Sequence, residues 1–276
     1  MSLLSANQLL VAISTESLAL IHRARGLSMR ILEQKHQYFP QENMVPDTDA
    51  PIWQLAVTQL DGVLSSMKIV PNMQLKIILA SDFVRYLSLP AQQVNMSQEE
   101  KLAYAIAAYH EVYGDSVDAW DVKLNDVAPR QPTIAAAIDK TLLHALSQLA
   151  NKYQLKLVSV QPYLMSAFNA LSNQIKNVSG YLVIVELKRL LLINLQKGHC
   201  QNLRTFSSSN DWQFELKDLL ARELLMVETS NPELFIYAPT QKNISFNATT
   251  GWQLKRIGTK NNTLNQVQMA MLEAAL

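Results

Sequence analysis

The sequence contains little cysteine and little glycine. Among its 276 residues there are one cysteine, Cys200, and seven glycines. A single cysteine excludes an intramolecular disulfide, which agrees with a reducing compartment. Scarce glycine limits the number of loops in which the backbone can approach a phosphate group closely. The Gly-x-x-x-x-Gly-Lys pattern of a Walker-type phosphate loop is absent.

An excess of one charge sign and a long uncharged apolar run are also missing. Lysine and arginine number 24 against 23 acidic residues, so there is no electrostatic reason to expect a nucleic-acid partner. Residues 1–8 lack the basic and apolar regions of a signal peptide. The most apolar stretch, 181–195, is interrupted by Glu186, Lys188 and Arg189, which excludes a plain membrane span. We therefore expect a cytoplasmic protein.

The first part of the chain predicts three strands, a helix and a fourth strand. Apolar runs indicate strands at 9–13, 17–23 and 28–38, and the short connections predict an antiparallel meander. A fourth strand is predicted at 75–80. The apolar face of the intervening helix, with Pro51 in its first turn, is predicted to be Ile52, Ala56, Leu60, Val63 and Met67.

The same order returns near the end of the chain. Strands are predicted at 181–185, 190–195 and 199–206, and a closing strand at 234–237. The intervening helix, with Asn210 or Asp211 as its cap, has a predicted apolar face of Trp212, Leu216, Leu219, Leu220, Leu224 and Val227. A glycine turn joins the second and third strands in both copies, at Gly26 and Gly198. The sequence thus predicts an α/β protein with a duplicated β-β-β-α-β unit.

The region between the two copies is predicted to be mainly helical. Ser97 and Glu100 form a capping-box pattern, and Gly114 suits the end of that helix. Strands are predicted at 83–89, 117–124 and 155–160, and a further helix from Pro162. We expect one lobe at 1–177 with this helical insertion and a second lobe at 178–276. The tail of the second lobe, from Lys242, is predicted to form an edge hairpin around Gly251, Trp252 and Gly258, followed by a short helix. The first middle helix is predicted to bury Leu102, Ile106, Tyr109 and Tyr113, and a long second one Ile134, Ile138, Leu142, Ala145 and Leu149.

The order of these elements is that of the actin-like (ribonuclease H-like) ATPase fold. Within it, the stretch 79–86, Leu-Ala-Ser-Asp-Phe-Val-Arg-Tyr, followed by Leu89-Pro90, resembles a motif of type II secretion GspL cytoplasmic domains and type IV pilus PilM-like proteins. Ala91 departs from it, since the motif has Trp there. Further residues that match in order are Glu99, Glu100, Tyr113, Gly114, Trp120, the stretch 159–162 and Asn169.

The resemblance implies a cytoplasmic assembly component at the inner membrane. PilM-like proteins bind the cytoplasmic tail of a single-span PilN-like partner, whereas GspL carries its own membrane helix. This sequence ends at Leu276 without such a helix, so it is PilM-like in organisation or stops before a span. The oligomeric state is left open, with a dimer among the options. The resemblance further suggests a structural or partner-contact role for Asp82, Phe83, Arg85, Tyr86 and Trp120.

The phosphate loops of the actin-like fold are the parts that have diverged. Such loops combine Asp with Gly, but residues 13–17 have neither, and residues 185–189 offer only Glu186 as the acid. The adenosine-side loop, 238–240, also lacks glycine. We expect no ATP turnover and no cofactor. If Mg-ATP does bind, the candidate contacts are Ser14, Thr15, Glu186 and Lys188, although Lys188 and Arg189 are more simply explained as a charged turn.

The remaining polar and aromatic candidates have simpler structural explanations. Asp82 is either an acid at a strand end or a turn residue, and we favour the turn. His110 and His144 are expected on helix surfaces, and no histidine has metal-pair spacing. Cys200 is expected to be a buried structural thiol. The four tryptophans are assigned to the core or to an interface: Trp53, Trp120, Trp212 and Trp252.

Three functional hypotheses follow from these observations. The first is a non-catalytic adaptor that holds a peptide of a membrane partner. The second is an actin-like ATPase or kinase with diverged loops, which predicts magnesium-dependent ATP binding. The third is a sugar or acyl phosphate enzyme of the same fold, which the missing acids disfavour.

Overall fold

The computed structural model describes residues 7–25, 29–39, 50–125, 130–209, 211–226, 232–239, 251–258 and 271–272. The chain forms two compact units, one of residues 1–84, 138–166 and 268–276 and the other of residues 85–137 and 167–267. The division into lobes at residue 178 stays a prediction.

The elements are as follows. The strands are β1 (Gln8–Ile13), β2 (Ser17–Arg25), β3 (Met29–Tyr38), β4 (Gln74–Leu79), β5 (Val84–Leu89), β6 (Trp120–Leu124), β7 (Thr133–Asp139), β8 (Lys156–Pro162), β9 (Gly180–Val185), β10 (Arg189–Gln196), β11 (His199–Ser207), β12 (Glu233–Tyr237) and β13 (Gln253–Arg256). The α-helices are α1 (Gln54–Ser65), α2 (Gln98–Tyr113), α3 (Lys140–Lys152), α4 (Tyr163–Ile175) and α5 (Trp212–Leu224).

The first unit is built on a five-stranded sheet in the order β3-β2-β1-β4-β8. β1 to β3 form the predicted antiparallel meander, while β4 pairs with β1, and β8 with β4, in parallel. Every residue of the central β1 is buried, as a strand covered on both faces requires. In the same unit α1 contacts α3, and the Nζ of Lys152 lies 2.7 Å from Oδ1 of Asp61. Met271 and Leu272, near the end of the chain, are completely buried and belong to this unit.

The second unit repeats the arrangement in the order β11-β10-β9-β12-β13. The pairing directions match those of the first sheet, strand for strand, so the predicted duplication is confirmed. Gly198 adopts a φ of 79° in the turn between β10 and β11, where a side chain would be strained. Gly26, the equivalent in the first copy, lies outside the described residues. The core between sheet and α5 contains Val183, Leu190, Leu192, Trp212, Leu216, Leu234, Ile236 and Trp252.

The second unit also contains a smaller sheet in the order β5-β7-β6, with α2 packed on it. The predicted capping box of α2 is confirmed: the Ser97 hydroxyl accepts from Glu100 N at 3.2 Å, and Ser97 N donates to Glu100 Oε2 at 2.7 Å. Tyr109 is completely buried, and Ala105 lies with it under the sheet. Leu102 and Tyr113 are exposed, so the predicted burial of these two residues is wrong.

The largest error concerns the predicted long helix at 134–149. Residues 133–139 form β7, the central strand of the small sheet, and the helix begins only at Lys140, after Asp139, whose carboxylate accepts from Thr141 N at 2.7 Å. Ile134 and Ile138 fit a helical spacing with Leu142, but the alanines between them are equally suited to a strand buried on both faces. The predicted strand at 117–124 begins only at Trp120, because 114–119 form a 3₁₀ turn.

Two further expectations are corrected at element ends. Ile52 is exposed and precedes α1, whose first residue, Gln54, donates its backbone N–H to the Pro51 carbonyl. Within the described part of the tail, β13 pairs in parallel with β12 as the fifth strand of its sheet, and no hairpin is formed there; the rest of the predicted hairpin lies outside the described residues. Asp211 is the N-cap residue of α5, but its side chain makes no capping hydrogen bond. Asn210 and Val227 lie outside the described residues, as does most of the predicted terminal helix. No helix within the described ranges is long and apolar enough to cross a bilayer.

Candidate functional site

The first candidate phosphate loop lies at the carboxyl end of β1. The chain reverses there through residues 14–16, and the backbone N–H of Ser14 donates to the carbonyl of Ser17 at 2.9 Å. The neighbouring parallel strand β4 ends at the same edge, where Ala80 N donates to the Ile13 carbonyl at 2.9 Å. Carboxyl ends of parallel strands are where open α/β sheets bind ligands, so this edge is the place to look for phosphate chemistry.

Ser14 fills this turn with its own side chain. It is 1% exposed, and its hydroxyl accepts from Ser17 N at 3.1 Å and from Glu16 N at 3.2 Å. The same oxygen donates to the Ser17 carbonyl at 3.2 Å. A phosphate nest requires backbone N–H groups that point at the anion without an internal partner. Two amides of this turn are already bonded to a neutral hydroxyl within the protein.

Thr15 connects the turn to Asp82, which follows β4 and belongs to the motif at 79–86 that carries the family resemblance. Its hydroxyl donates to Asp82 Oδ2 at 3.0 Å. Asp82 lies in a single 3₁₀ turn, Ser81–Phe83, flanked by the buried Ser81 and Phe83. From the sequence, Thr15 and Asp82 are two separate candidates. In the structure they are hydrogen-bonded to each other at one edge of the first sheet. The contact agrees with the favoured assignment of Asp82 as a turn residue.

The second candidate phosphate loop follows β9. The backbone N–H of Glu186 donates to the Arg189 carbonyl at 2.9 Å, which closes a tight turn, and Glu186 is buried. Lys188 is exposed, and its carbonyl accepts from Ser208 N at 2.8 Å. Arg189 Nη1 donates to the hydroxyl of Ser207 at 3.3 Å. These contacts agree with a charged hairpin turn for Lys188 and Arg189. Whether Ser14, Thr15, Glu186 and Lys188 ever contact nucleotide stays a prediction.

The adenosine-side position follows β12. Ala238 is buried, and its carbonyl accepts from Arg256 Nη2 at 3.5 Å. Pro239 is half-buried, and Thr240 lies outside the described residues. The Arg256 side chain, which extends from β13, therefore reaches the backbone at the position where the adenosine-side loop of the actin-like fold would begin.

The signature stretch that carries the resemblance runs through the core and then through β5. Phe83 and Leu89 are buried, while Arg85 and Tyr86 are half-buried. The phenol of Tyr109 donates to the Arg85 carbonyl at 2.7 Å, which fixes α2 to β5. Burial raises the pKa of Tyr109, so its phenol remains a donor at all physiological pH values.

Trp120 belongs to an aromatic cluster with Tyr109 and Tyr113. The Trp120 ring lies 5.1 Å from that of Tyr113 and 6.1 Å from that of Tyr109, both in edge-on geometry. Such contacts stabilise packing beyond the buried area. The structure thus provides a packing explanation for these signature residues. A partner contact by Arg85, Tyr86 or Trp120 stays a prediction.

One contact that sequence reasoning missed joins the small sheet to β11, the outer strand of the second large sheet. The hydroxyl of Ser88 in β5 accepts from Leu203 N at 2.7 Å and donates to the Leu203 carbonyl at 3.3 Å. The two residues are 115 positions apart, and no local pattern signals the pair. A single side chain thereby satisfies both backbone groups of an edge residue.

The surroundings of the remaining titratable candidates, His110 and Cys200, indicate structural roles. His110 Nε2 lies 3.4 Å from Asp118 Oδ1 at the protein surface. Cys200 is half-buried and not fully buried as predicted, and its partial burial raises the pKa of the thiol to about 12, so it is a poor nucleophile at neutral pH. Within the described ranges, no group of three or more His, Cys, Asp or Glu side chains is placed to hold a metal ion.

Comparison with known proteins identifies the fold. No protein-family model matches the chain, and no curated protein is similar to it in sequence. Solved structures do match over nearly its whole length. The PilM–PilN type IV pilus biogenesis complex matches with a TM-score of 0.65 at 11% identity, over 98% of this chain and 97% of that chain.

Two further structures agree. The cytoplasmic domain of EpsL, an inner-membrane component of the type II secretion system of Vibrio cholerae, matches with a TM-score of 0.58 at 10% identity, over 98% of this chain and 94% of its own. A Bacteroides thetaiotaomicron protein with an actin-like ATPase fold and unknown function matches with a TM-score of 0.60 at 14% identity, over 97% and 95% of the two chains. The chain has the actin-like fold, and the resemblance read from its sequence is confirmed at the level of fold.

Proposed function

We propose that this protein is a non-catalytic scaffold of a type IV pilus or type II secretion assembly. In this role it binds the cytoplasmic tail of a single-span inner-membrane partner and does not turn over ATP. The observation that carries the proposal is the turn after β1, where the buried Ser14 hydroxyl is bonded to backbone amides of the turn.

The chemistry of that turn argues against phosphate binding. An anion that entered it would have to displace Ser14, which is buried and makes hydrogen bonds to Glu16 and Ser17. Each of these bonds contributes about 1 kcal/mol to stability, and breaking them without replacement costs more. The carboxylate of Asp82, which accepts from the Thr15 hydroxyl at 3.0 Å, would add repulsion towards an incoming phosphate.

The second turn supports the same conclusion. Glu186 is buried at the position where an actin-like phosphate loop usually has an acid. No glycine lies beside it, so side chains limit how closely the backbone can approach a phosphate. Several of the aromatic and apolar residues that carry the resemblance, by contrast, are packed: Phe83, Val84 and Leu89 are buried. The two repeated sheets of the fold are retained, and the glycine-containing loops that would bind phosphate are missing.

The structural similarities support the cellular setting that we propose. One solved structure is a complex of PilM with PilN, and another is an EpsL cytoplasmic domain from an inner-membrane secretion component. Both match nearly the whole chain in fold. We infer that this chain holds an assembly in place at the inner membrane through a peptide contact.

Two measurements on the whole chain test the proposal. Isothermal titration with Mg-ATP is expected to show no heat at high micromolar nucleotide, with a functional actin-like ATPase as positive control. Fluorescence anisotropy with labelled cytoplasmic tails of the single-span inner-membrane proteins encoded beside this chain is expected to show saturable binding by one tail and none by its scrambled version. Magnesium-dependent ATP binding, or the failure of every tail, would contradict the proposal.

A further inference from the structure

A small groove lies at one end of the β5-β7-β6 sheet in the second unit. Its walls include Leu89 and Pro90 at the end of β5, Val94 in the following loop, Lys101 and Tyr104 on α2, and Arg130 just before β7. The capping box at Ser97 fixes the start of α2. Because residues 101 and 104 are three positions apart, both lie on the same face of the helix. The groove is therefore built from regular structure on two sides.

Two cationic residues line this groove. Lys101 and Arg130 both line it, and no described carboxylate forms an ion pair with either one. No aspartate or glutamate is among the described residues that line the groove. Glu100, the nearest acid along the helix, already accepts from Ser97 N at 2.7 Å. The whole chain has a formal charge of only +1, so this local excess of positive charge is not a general property of the surface.

The other walls are mixed, with apolar Leu89, Pro90, Val94 and Met96 beside polar Gln92, Asn95, Gln131 and Thr133. Val94 is 76% exposed, and Leu89 beneath it is 4% exposed. Arg130 is held at a φ of 63°, in the left-handed region, which costs a non-glycine residue about 1 kcal/mol or more. Such strain is commonly kept where a side chain has to point in a required direction.

The size of the groove limits its occupant. Its volume is about 90 Å³, well below the roughly 300 Å³ at which pockets for nucleotides and similar ligands begin. One or two side chains of an extended peptide fit such a volume. A carboxylate would be attracted by Lys101 and Arg130, and an aliphatic neighbour would cover Val94 and Pro90.

We propose that this groove binds a short peptide segment of a protein partner in which an acidic residue stands next to an aliphatic or aromatic one. The site is additional to the membrane-partner tail of the proposed function and does not depend on it. The acidic side chain bonds to Lys101, Arg130 and the Tyr104 hydroxyl, and the apolar neighbour lies on the exposed Val94.

Selection from a phage library of random twelve-residue peptides tests this directly. The whole chain is the bait, and the Lys101→Glu/Arg130→Glu double variant is the counter-bait. We expect peptides that bind only the unmodified chain to be enriched in Asp or Glu adjacent to Leu, Ile, Val or Phe. Enriched peptides that lack acids, peptides that bind both baits equally, or no enrichment at all would each overturn the proposal.

One selected peptide, labelled with fluorescein, then measures the effect. The double variant is expected to lose at least about tenfold in affinity, because each reversed charge faces the peptide acid. Lys123→Glu, which alters an exposed cation outside the groove, is the matched control and is expected to retain affinity. Thermal melting verifies that all variants fold. Displacement of the peptide by millimolar inorganic phosphate would instead indicate a general anion site. The tail-binding assay of the proposed function is expected to be unaffected by the double variant, so the two proposals fail separately.

Discussion

The two copies of the β-β-β-α-β unit share their strand order but differ in how their turns and edges are finished. In the first copy the turn after the central strand is held by the side chain of Ser14, while in the second it is held by the backbone of Glu186 and Arg189. The outer strand of the second copy is bonded at its backbone by the Ser88 hydroxyl, whereas the outer strand β3 of the first copy uses its own side chain: Gln37 Nε2 donates to Gln59 Oε1 of α1 at 2.7 Å. The sheet is thus what the duplication preserves, and turns and edges are where each copy has specialised.

The difference that is expected to matter most for stability is the aromatic anchor of the second copy. Trp252 is 7% exposed, stacks edge-on against Tyr181 at 5.1 Å, and donates Nε1–H to the Leu220 carbonyl. Trp252→Ala is expected to lower the free energy of unfolding by about 3–5 kcal/mol, because it leaves a cavity and removes the hydrogen bond to the Leu220 carbonyl. Urea unfolding measures this loss of stability, with Trp252→Phe as the milder control. A loss below about 1 kcal/mol would mean that β13 is not anchored through this ring.

The next prediction concerns the first-copy turn. Ser14→Ala removes a buried hydroxyl that accepts from two backbone amides, so we expect a loss of about 2 kcal/mol in unfolding free energy. Lys188→Ala, in the equivalent turn of the second copy, is the matched control and is expected to change stability by less than about 0.5 kcal/mol. Equal effects in the two turns would remove the contrast between the copies.

The edge strands provide a third test. Ser88→Ala leaves both backbone groups of Leu203 without their partner, and we expect a loss of about 1–2 kcal/mol. The opened edge of β11 should then exchange its amide hydrogens faster, in hydrogen–deuterium exchange, at Leu203 in particular. Ser88→Thr keeps the hydroxyl and should behave as the unmodified protein does. Unchanged exchange in Ser88→Ala would show that the hydroxyl does not protect the edge.

The smallest expected effect is a pH dependence in the first unit. Hydrogen bonds from Lys152 and Tyr153 hold the pKa of Asp61 below its usual value. Stabilisation from a lowered carboxyl pKa is present above the pKa of the unfolded chain and is lost as the pH falls through the folded value. Both charged side chains are substantially exposed, so solvent screens the pair.

Asp61→Asn is therefore expected to cause a small loss of stability at neutral pH that disappears at acid pH, which slightly flattens the acid side of the stability–pH curve. Asp121→Asn, which removes the exposed partner of Lys123, is a suitable control. Chemical unfolding between pH 2 and 7 makes the comparison. A larger loss at neutral pH than at pH 3 would agree with the predicted sign, and the reverse would contradict it.

Local patterns predicted the repeated elements well and the long-range contacts poorly. β1 and β9 are continuous apolar runs bounded by turns, and the recurrence of the same order along the chain reinforced each assignment. β7 was mistaken for a helix because Ile134, Ile138 and Leu142 fit the helical period, and only pairing with β5 and β6 decides in favour of a strand. Tertiary pairing of this kind leaves no trace in a short window.

The candidate site shows the same limit. The absence of glycine from the first turn is visible in the sequence, but the occupation of its amides by Ser14 is a matter of three-dimensional geometry. Thr15 and Asp82 are 67 positions apart, and Ser88 and Leu203 are 115 apart. These pairs depend on how strands are arranged, so single residues could be proposed from the sequence but their partners could not.

The burial of Met271 and Leu272 in the first unit has a consequence for how the protein is made. That unit needs residues 138–166 as well as its first 84, and the contribution of Met271 and Leu272 arrives only after the second unit has been synthesised. At roughly 5–20 residues per second, ribosomes take on the order of 10–40 s to travel from Val84 to Leu272. During that time the emerging sheet lacks part of its cover. A chaperone that binds nascent chains would meet this protein with β8, Met271 and Leu272 still missing, so the speed of translation sets how long the first unit stays incomplete.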